Sequence, residues 1–483
     1  MKRQVRKIAV LLGLLHSFPA FSDAYHNING FFGERAAGLG GAYTAVSDDP
    51  SGAFYNPAGL NLAYDNSISL SASNYTKVKK TYENALGPAQ GYGRTNQNYI
   101  PNFFGMVKEV GAGKFAFSVV NPIQENYQRN DQIRLPLFYP DISNIKSYNR
   151  ETYNQLLVGA SYSRPITSKL SWGATLYYVN DTASITSTQL TMFKNKQYAM
   201  QTINDNRRTT GLLPVLGLMF NLTDKISLGA SLRKTFVMGQ NRLINAITMD
   251  SSSTSTDGIT FLEGTQKAFG ASVGNTIYKG PAYTGRVPET YELRLGGAFF
   301  PTKKLMIATD LIYTSGYSFK KNNTEVITSP SANIIILTDK DDLELKRYQT
   351  WNIATGVEYF LTDFLALRLG VYTNNANTKK IDWMTSALQA YNRAAGDTET
   401  IASSGGNSVQ FRIPTLRDNP RNEYVNTMGY SFGFSFATAK AALSLSIIKE
   451  HGKGAAQLDS MRPAQQLTYD ASSIYLVITS RSN

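Results

Sequence analysis

Acyl or phosphoryl transfer needs a nucleophile within reach of a base, and this 483-residue chain carries three histidines and no cysteine. Only His26 and His451 lie beyond the first 24 residues, and they are expected on opposite sides of a membrane. No Ser/His/Asp set assembles around either, and no histidine cluster has the spacing of a zinc site. No enzyme activity, no metal and no cofactor are therefore expected. What remains is charge suited to holding rather than transforming. Asp48 and Asp49 are adjacent in GLGGAYTAVSDDPSGAFYNPAGL (38–60), and Arg233, Arg294 and Arg368 each share a face with Gly, Ser or Ala. A guanidinium can grip a carboxylate through two parallel hydrogen bonds. Equally, ionised groups away from bulk water need partners, and Glu292, Asp310 and Glu358 fall on the same kind of face. Which role applies depends on the elements that carry these residues.

Those elements alternate. KISLGASLRKTF places Ile226, Leu228, Ala230 and Leu232 on one face and Ser227, Gly229, Ser231 and Arg233 on the other. LSWGATLYYV, YELRLGGAFF and MGYSFGFSF repeat the pattern, each with one oily side and one small or polar side. The template predicts about fourteen strands. They fall near 66–76, 98–108, 113–121, 152–163, 169–181, 211–222, 225–236, 289–300, 304–314, 350–361, 364–374, 424–437, 441–449 and 471–480. Tight connections such as TD (223–224), PTKK (301–304) and TAK (438–440) alternate strictly with long polar excursions. Short turns on one side and long loops on the other are the pattern of outer-membrane barrels, and 29 Tyr and 24 Phe suit their aromatic girdles. No segment approaches the roughly 20 apolar residues that a membrane helix requires.

The chain begins with Lys2, Arg3, Arg6 and Lys7 ahead of the apolar run IAVLLGLL, the layout of a secretory signal peptide ending near Ala24. Its removal takes the formal charge from +13 to about +10. Lys and Arg are spread along the whole chain, which argues against nucleic acid and for loops facing anionic lipopolysaccharide. The expected organisation is a signal peptide (1–24), an amino-terminal hatch (25–65) and a transmembrane barrel (66–483). A lumen of this strand number is too wide for wall side chains to fill, so the irregular 25–65 segment is the natural plug. Turns are expected at Pro50, Gly52, Pro57 and Gly59, and Glu34, Arg35, Asp48 and Asp49 are expected to seat it by charge.

The run GERAAGLGGAYTAVSDDPSGAFYNPAGL (Gly33 to Leu60) resembles the hatch of the FadL/TodX family of outer-membrane transporters for long-chain fatty acids and other hydrophobic compounds. The resemblance implies an all-β membrane protein: an antiparallel fourteen-stranded barrel with a mostly helical hatch. It also implies that Asn56, Pro57 and Ala58 form the family's hatch motif, beside a kink in the third strand. The third strand here is GKFAFSVVNPIQ, where Asn121-Pro122 either makes that kink or begins a loop. The implied function is passive uptake in the outer membrane of a Gram-negative-type bacterium. Extracellular loops would capture an apolar molecule, an interior pocket would receive it, and a gap in the wall would release it sideways into lipid after the hatch rearranges.

Candidates for the interior pocket are Ile28, Phe31 and Phe32, which could instead anchor the hatch, with Arg233, Arg294 and Arg368. Candidates for the external groove are Leu190, Met192, Phe193, Phe261 and Leu262, from excursions 182–210 and 237–288. Expected partners are the hydrophobic ligand, outer-membrane lipid and lipopolysaccharide, and the barrel-assembly machinery, with the barrel a monomer. The chain ends VITSRSN rather than in the aromatic residue that such machinery commonly recognises. A barrel of this fold could alternatively serve as a partner or shuttle in protein secretion.

Overall fold

A computed structural model describes residues 25–87, 90–99, 101–133, 142–194, 198–250, 287–321, 324–328, 335–339, 343–381, 422–457 and 464–481. Backbone polar groups cannot be left unpaired in lipid, so a chain of alternating strands is stable there only as a closed ring. The chain forms one. Going round the wall, the staves are β1 (Ser67–Gly87), β2 (Gln90–Tyr99) continued by β3 (Phe103–Val110), β4 (Gly113–Ile133), β5 (Ile142–Pro165), β6 (Leu170–Phe193) and β7 (Tyr198–Thr223). Then follow β8 (Ile226–Lys234) continued by β9 (Phe236–Asp250), β10 (Tyr291–Thr302) and β11 (Leu305–Thr314). Two small ribbons come next in sequence: β12 (Tyr317–Lys321) pairs with β15 (Leu343–Arg347), and β13 (Thr324–Thr328) with β14 (Ile335–Asp339). The last staves are β16 (Thr350–Phe360), β17 (Leu365–Asn374), β18 (Asn422–Ala437), β19 (Ala441–Gln457) and β20 (Gln465–Ser480). Antiparallel β1–β20 and β1–β3 pairing closes a fourteen-stave barrel.

The alternation sorts side chains across the wall. Leu216, Leu218 and Phe220 on β7, Leu228 and Leu232 on β8, Leu295 and Phe299 on β10, and Phe432 and Phe436 on β18 all point outward and are exposed. Their neighbours Ser227, Ser231, Arg294, Ser431 and Ser435 point inward and are buried. An apolar outer belt over a polar, filled interior is the surface of a barrel meant for lipid. The short connections 111–112, 166–169, 224–225, 303–304, 361–364 and 438–440 lie at one rim.

Three expectations change. Within excursion 182–210, residues 182–193 and 198–210 extend the β6/β7 ladder: β7 runs 26 residues, more than twice the roughly 9–11 that cross a bilayer, so it projects well beyond the membrane. Pro122 does not begin a loop, because β4 continues to Ile133 through a register shift between Val120 and Ile123. Finally, residues 25–66 are mostly turns, with a four-residue helix α1 (Gly52–Tyr55) and a 3-10 turn (Pro57–Leu62). Gly33, Gly40 and Gly41 and the non-glycine Ser47 hold positive φ along this stretch, which interrupts helix repeatedly.

Candidate functional site

Residues 25–63 pass through the lumen and are almost entirely buried. They fill it with an apolar cluster, in which Ile28, Phe31, Phe32, Leu39, Tyr43 and Tyr55 pack against wall residues that include Phe103, Val120, Tyr177, Val215 and Ile312. Polar contacts fix the segment at three levels. Nearest the short-turn rim, Glu34 bonds Arg481 at 2.7 Å and lies 3.7 Å from Arg368. Arg35 reaches Asp48 at 2.5 Å and the Glu358 carboxylate, which also receives Arg368 at 2.7 Å. In mid-lumen, the buried wall carboxylate Asp310 accepts from the backbone N–H of Tyr43 and of Thr44, both at 3.0 Å, and from the Thr44 hydroxyl at 2.6 Å. At the long-loop side, His26 bonds the Val425 carbonyl at 2.7 Å, and Lys80 lies over the rings of Tyr25 and Tyr469.

Asn56 caps the 3-10 turn. Its Oδ1 accepts from Ala58 N at 3.2 Å, while its amide donates to Thr44 O at 2.8 Å and to Leu218 O on the wall at 3.0 Å. The contact is close because the wall offers glycine: a Cβ on Gly217 would stand 2.1 Å from Asn56 Oδ1, and one on Gly173 would stand 2.4 Å from the Pro57 carbonyl. Ala58 O accepts from Ser163 and Ser171. The motif Asn56-Pro57-Ala58 thus docks on β5, β6 and β7. The expectation that it lies by the third-strand kink is corrected, since the kink at Pro122 faces Gly30 instead.

The acidic pair divides its roles. Asp48 is held by Arg35 and by the Tyr43 hydroxyl at 2.9 Å. Asp49 has no ion-pair partner among the described residues and accepts from Ser51 N at 2.7 Å, the Ser51 hydroxyl at 2.5 Å and Glu34 N at 3.2 Å. It folds the segment on itself and does not reach the wall. Burial pushes its carboxyl up to about 6, against the lowering effect of the Ser51 hydroxyl. A folded-state value above the unfolded one means the proton favours the seated form. That stabilisation is complete below about pH 4 and is lost as pH rises through 6, worth up to about 3 kcal/mol. Limited proteolysis within 33–63 is accordingly expected to be faster at pH 8 than at pH 5. Asp49→Asn should flatten that pH profile, and an unchanged slope would refute the assignment.

Two cavities flank residues 28–31. The larger, of 210 Å³, is lined by Ile28, Phe31, Phe32, Arg233 and Arg294, together with Phe54, Leu157, Leu213, Arg347 and Pro122. Five of the six interior candidates meet here. Arg368 does not, being engaged with Glu358, the Glu34 carbonyl and Ser444 beneath the segment. Glu292 bridges Arg233 at 2.6 Å and Arg294 at 2.5 Å, and Arg233 covers the Phe54 ring at 4.2 Å. Two guanidiniums share one carboxylate, which leaves positive charge in a pocket whose other walls are aromatic, aliphatic and neutral polar residues. Arg347, missed in the sequence because it lies outside the alternating template, adds a third cation.

The smaller cavity, of 80 Å³, lies between Ile28–Phe31 and wall residues Asn96, Asn98, Gln124 and Glu125. There the wall is discontinuous. β3 pairs with β4 from Val110↔Gly113 to Phe103↔Val120, but β2 is paired only with β1 among the described residues. Across the gap, Asn98 bridges by side chain, donating to the Gln124 carbonyl and accepting from Asn126 N at 3.2 Å. Ile123, just beyond the kink, lines both cavities.

Of the external-groove candidates, Met192 is exposed and Leu190 half-buried on the extended hairpin. The side chains of Phe193, Phe261 and Leu262 lie outside the described residues. His26 and His451 are not on opposite sides of the membrane. His451 pairs with Asp470 at 2.7 Å on the outer face, while His26 lies 5.8 Å from the ring of Tyr469, the next residue. The wall separates them at one level, because residues 25–32 run up the lumen.

A lipid-facing barrel of fourteen staves, its lumen occupied by its own amino-terminal segment and its wall interrupted beside an inner cavity, defines a small class of membrane proteins. Structural comparison puts the chain in the FadL/TodX type of fold. It superimposes on a FadL homologue of Pseudomonas aeruginosa with a TM-score of 0.55 over 96% of this chain and 99% of that one, at 14% identity. The toluene transporter TodX of Pseudomonas putida gives 0.56 over 95% and 100%, at 13% identity. The monoaromatic hydrocarbon channel CymD gives 0.53 over 95% and 99%, at 14% identity. No family model and no curated protein matches the sequence.

Proposed function

We propose that this protein is an outer-membrane channel for passive uptake of hydrophobic molecules, with long-chain fatty acids or similar amphiphiles as its preferred cargo. The observation that carries the reading is the wall discontinuity between β2 and β4 beside a cavity walled by Ile28–Phe31. An apolar molecule is held back by the hydrated saccharide layer of the outer leaflet. A pocket reached from outside lowers that barrier, and release through the wall keeps the molecule out of water. The 210 Å³ cavity receives one end of the molecule. The 80 Å³ space is too small to pass an acyl chain, so residues 28–31 must shift before release. The solved channels of the same fold include those named for toluene and monoaromatic hydrocarbons, which supports an apolar cargo.

The unequal count of Arg233, Arg294 and Arg347 against Glu292 argues for a carboxylate on it. Delipidated protein is expected to bind a fluorescent fatty acid saturably and competitively. A charge-assisted hydrogen bond contributes about 1.5–3 kcal/mol, so Arg233→Ala or Arg294→Ala should weaken binding tenfold or more. Neither should alter binding of toluene, and Arg368→Ala should leave fatty-acid affinity within about twofold, since that residue lies away from the cavity. Binding unchanged in Arg233→Ala and Arg294→Ala would remove the carboxylate from the proposal. No binding at all, with co-purifying proteins, would favour the secretion role.

A further inference from the structure

The outer surface of β1, β20 and β19 changes character abruptly at one height. On β19 the outward residues run Leu443, Leu445, Ile447 and then Lys449, His451, Lys453; on β20 they run Ile478, Leu476, Ile474 and then Ser472, Asp470, Thr468. On β1, beyond a bulge, Tyr75 is followed by Lys77 and Lys79. The register places these side by side. Lys77 and Lys449 flank Ser472, Lys79 and His451 flank Asp470, and Thr81 and Lys453 flank Thr468. Neighbouring strands are about 4.8 Å apart and same-face residues about 7 Å apart along a strand. Four exposed lysines thus lie within a patch about 10 Å by 14 Å, and Asp470, itself paired with His451, is the one carboxylate among these nine positions. Directly below stand the tilted rings of Tyr75 and Tyr99, 4.9 Å apart, and the exposed Tyr430 on β18 stands beside Lys449 in register.

The same height elsewhere looks different. On β6 above Tyr178 the outward residues Asn180, Thr182, Ser184, Thr186 and Thr188 are neutral, and the exposed cations of the flanking strands, Lys146, Arg150 and Arg208, stand at the levels of Leu190, Thr186 and Thr182, about 14 Å apart along the strand. Solubility alone would not concentrate lysine on one side of the barrel.

We infer that this patch is a binding site for a phosphorylated glycolipid of the outer leaflet, with acyl chains lying along the apolar belt of β19 and β20 and phosphates drawn up to the lysines. Continuity with the belt selects a lipid over a soluble anion. Lysine suits phosphate as a point charge, and juxtamembrane cations add together in attracting anionic headgroups. The inference rests on the membrane placement of the barrel and not on what the lumen carries.

The test uses the full chain in detergent micelles with bisphosphorylated lipid A as probe, bound lipid being counted by native mass spectrometry. Lys77→Gln/Lys79→Gln/Lys449→Gln/Lys453→Gln is expected to bind at least tenfold more weakly than the parent. A control changing basic residues on the other side of the barrel, Lys146→Gln/Arg150→Gln/Arg208→Gln, should stay within twofold. Heat-dependent gel mobility reports folding, and if the quadruple variant fails to fold, Lys449→Gln/Lys453→Gln should still lose about threefold. Fatty-acid binding should be unchanged in each variant, which separates failure here from failure of the uptake reading. Parent-like affinity in the lysine variants would overturn the site. So would equal binding of dephosphorylated lipid A, or displacement of lipid A by millimolar inorganic phosphate.

Discussion

A covalent bridge across the wall between β2 and β4 is expected to reduce uptake of hydrophobic probes to the level of protein-free membrane. The chain has no cysteine of its own, so Asn98→Cys/Asn126→Cys can be joined specifically by a short thiol-directed cross-linker. These positions already touch, since Asn98 Oδ1 accepts from Asn126 N. The gap is now spanned by side chains only: the Asn98 bridge, the Tyr92 and Tyr127 hydroxyls at 2.9 Å and Arg94 at 3.8 Å from Glu125. Such hydrogen bonds are worth about 1 kcal/mol net each, weak enough to open for a passing molecule. A covalent link would not open. Uptake should return when a reducible linker is cleaved, and the barrel, whose other thirteen seams are untouched, should keep its heat-dependent mobility. The same bridge placed within the continuous β3/β4 ladder, at Gly105→Cys/Ser118→Cys, would strain the Phe103 and Pro50 contacts of Gly105. The preferred control is Ile307→Cys/Val357→Cys on β11/β16, which pair directly and face lipid. Undiminished uptake in the cross-linked Asn98/Asn126 protein would mean that cargo leaves downward past the segment instead of sideways.

What the sequence revealed and what it hid both follow from the solvent outside each strand. Where lipid lies outside, every second residue is apolar, and runs such as Ile226–Leu232 and Met428–Phe436 disclosed strand, face and inward charge together. Arg233, Glu292, Arg294, Asp310, Glu358 and Arg368 all point into the lumen as the alternation requires. Above the bilayer the outside is water. TASITSTQLT on β6 still alternates, but with Thr and Ser outward and Ala183 and Ile185 inward. A template seeking an oily outer face reads that as loop, and it equally missed the upper halves of β1, β19 and β20. The pocket was partly legible, because aromatic residues ahead of a glycine-rich plug have few other places to go. Three things were not. The separation of Arg368 from Arg233 and Arg294 depends on barrel height, which face alternation does not encode. The docking of Asn56 depends on Gly173 and Gly217, distant in sequence. The gap depends on a pairing that is missing, and an absent ladder leaves no periodic trace.

Glu358→Ala should have the largest effect on the plug itself. Glu358 is wholly buried and is the common partner of two cations, Arg35 from the amino-terminal segment and Arg368 from the neighbouring strand β17. Burying charge is tolerable only while the pairing is complete. Removing this one carboxylate leaves Arg35 with Asp48 alone, and leaves Arg368 with Glu34 at 3.7 Å, a carboxylate already claimed by Arg481 at 2.7 Å. The cost of uncovering a buried partner is about 3–5 kcal/mol, and it falls on the seated state, since a released segment would return Arg35 to water. The ring is closed by backbone ladders that do not involve this side chain, so the barrel should persist while the segment loosens. Planar-bilayer recordings should then show larger or noisier ion conductance than the parent, and protease should cut between residues 33 and 63 at least tenfold faster. Glu358→Gln keeps two hydrogen-bonding atoms without the charge and should fall between. The Asp310 anchor distinguishes electrostatics from hydrogen bonding: Asp310→Asn keeps one acceptor for the Tyr43 and Thr44 amides and should release the segment less than Glu358→Ala does. If Glu358→Ala leaves conductance and proteolysis unchanged, the segment is held by its apolar cluster and the Asp310 contacts, and the ion pairs at the short-turn rim fix only its orientation.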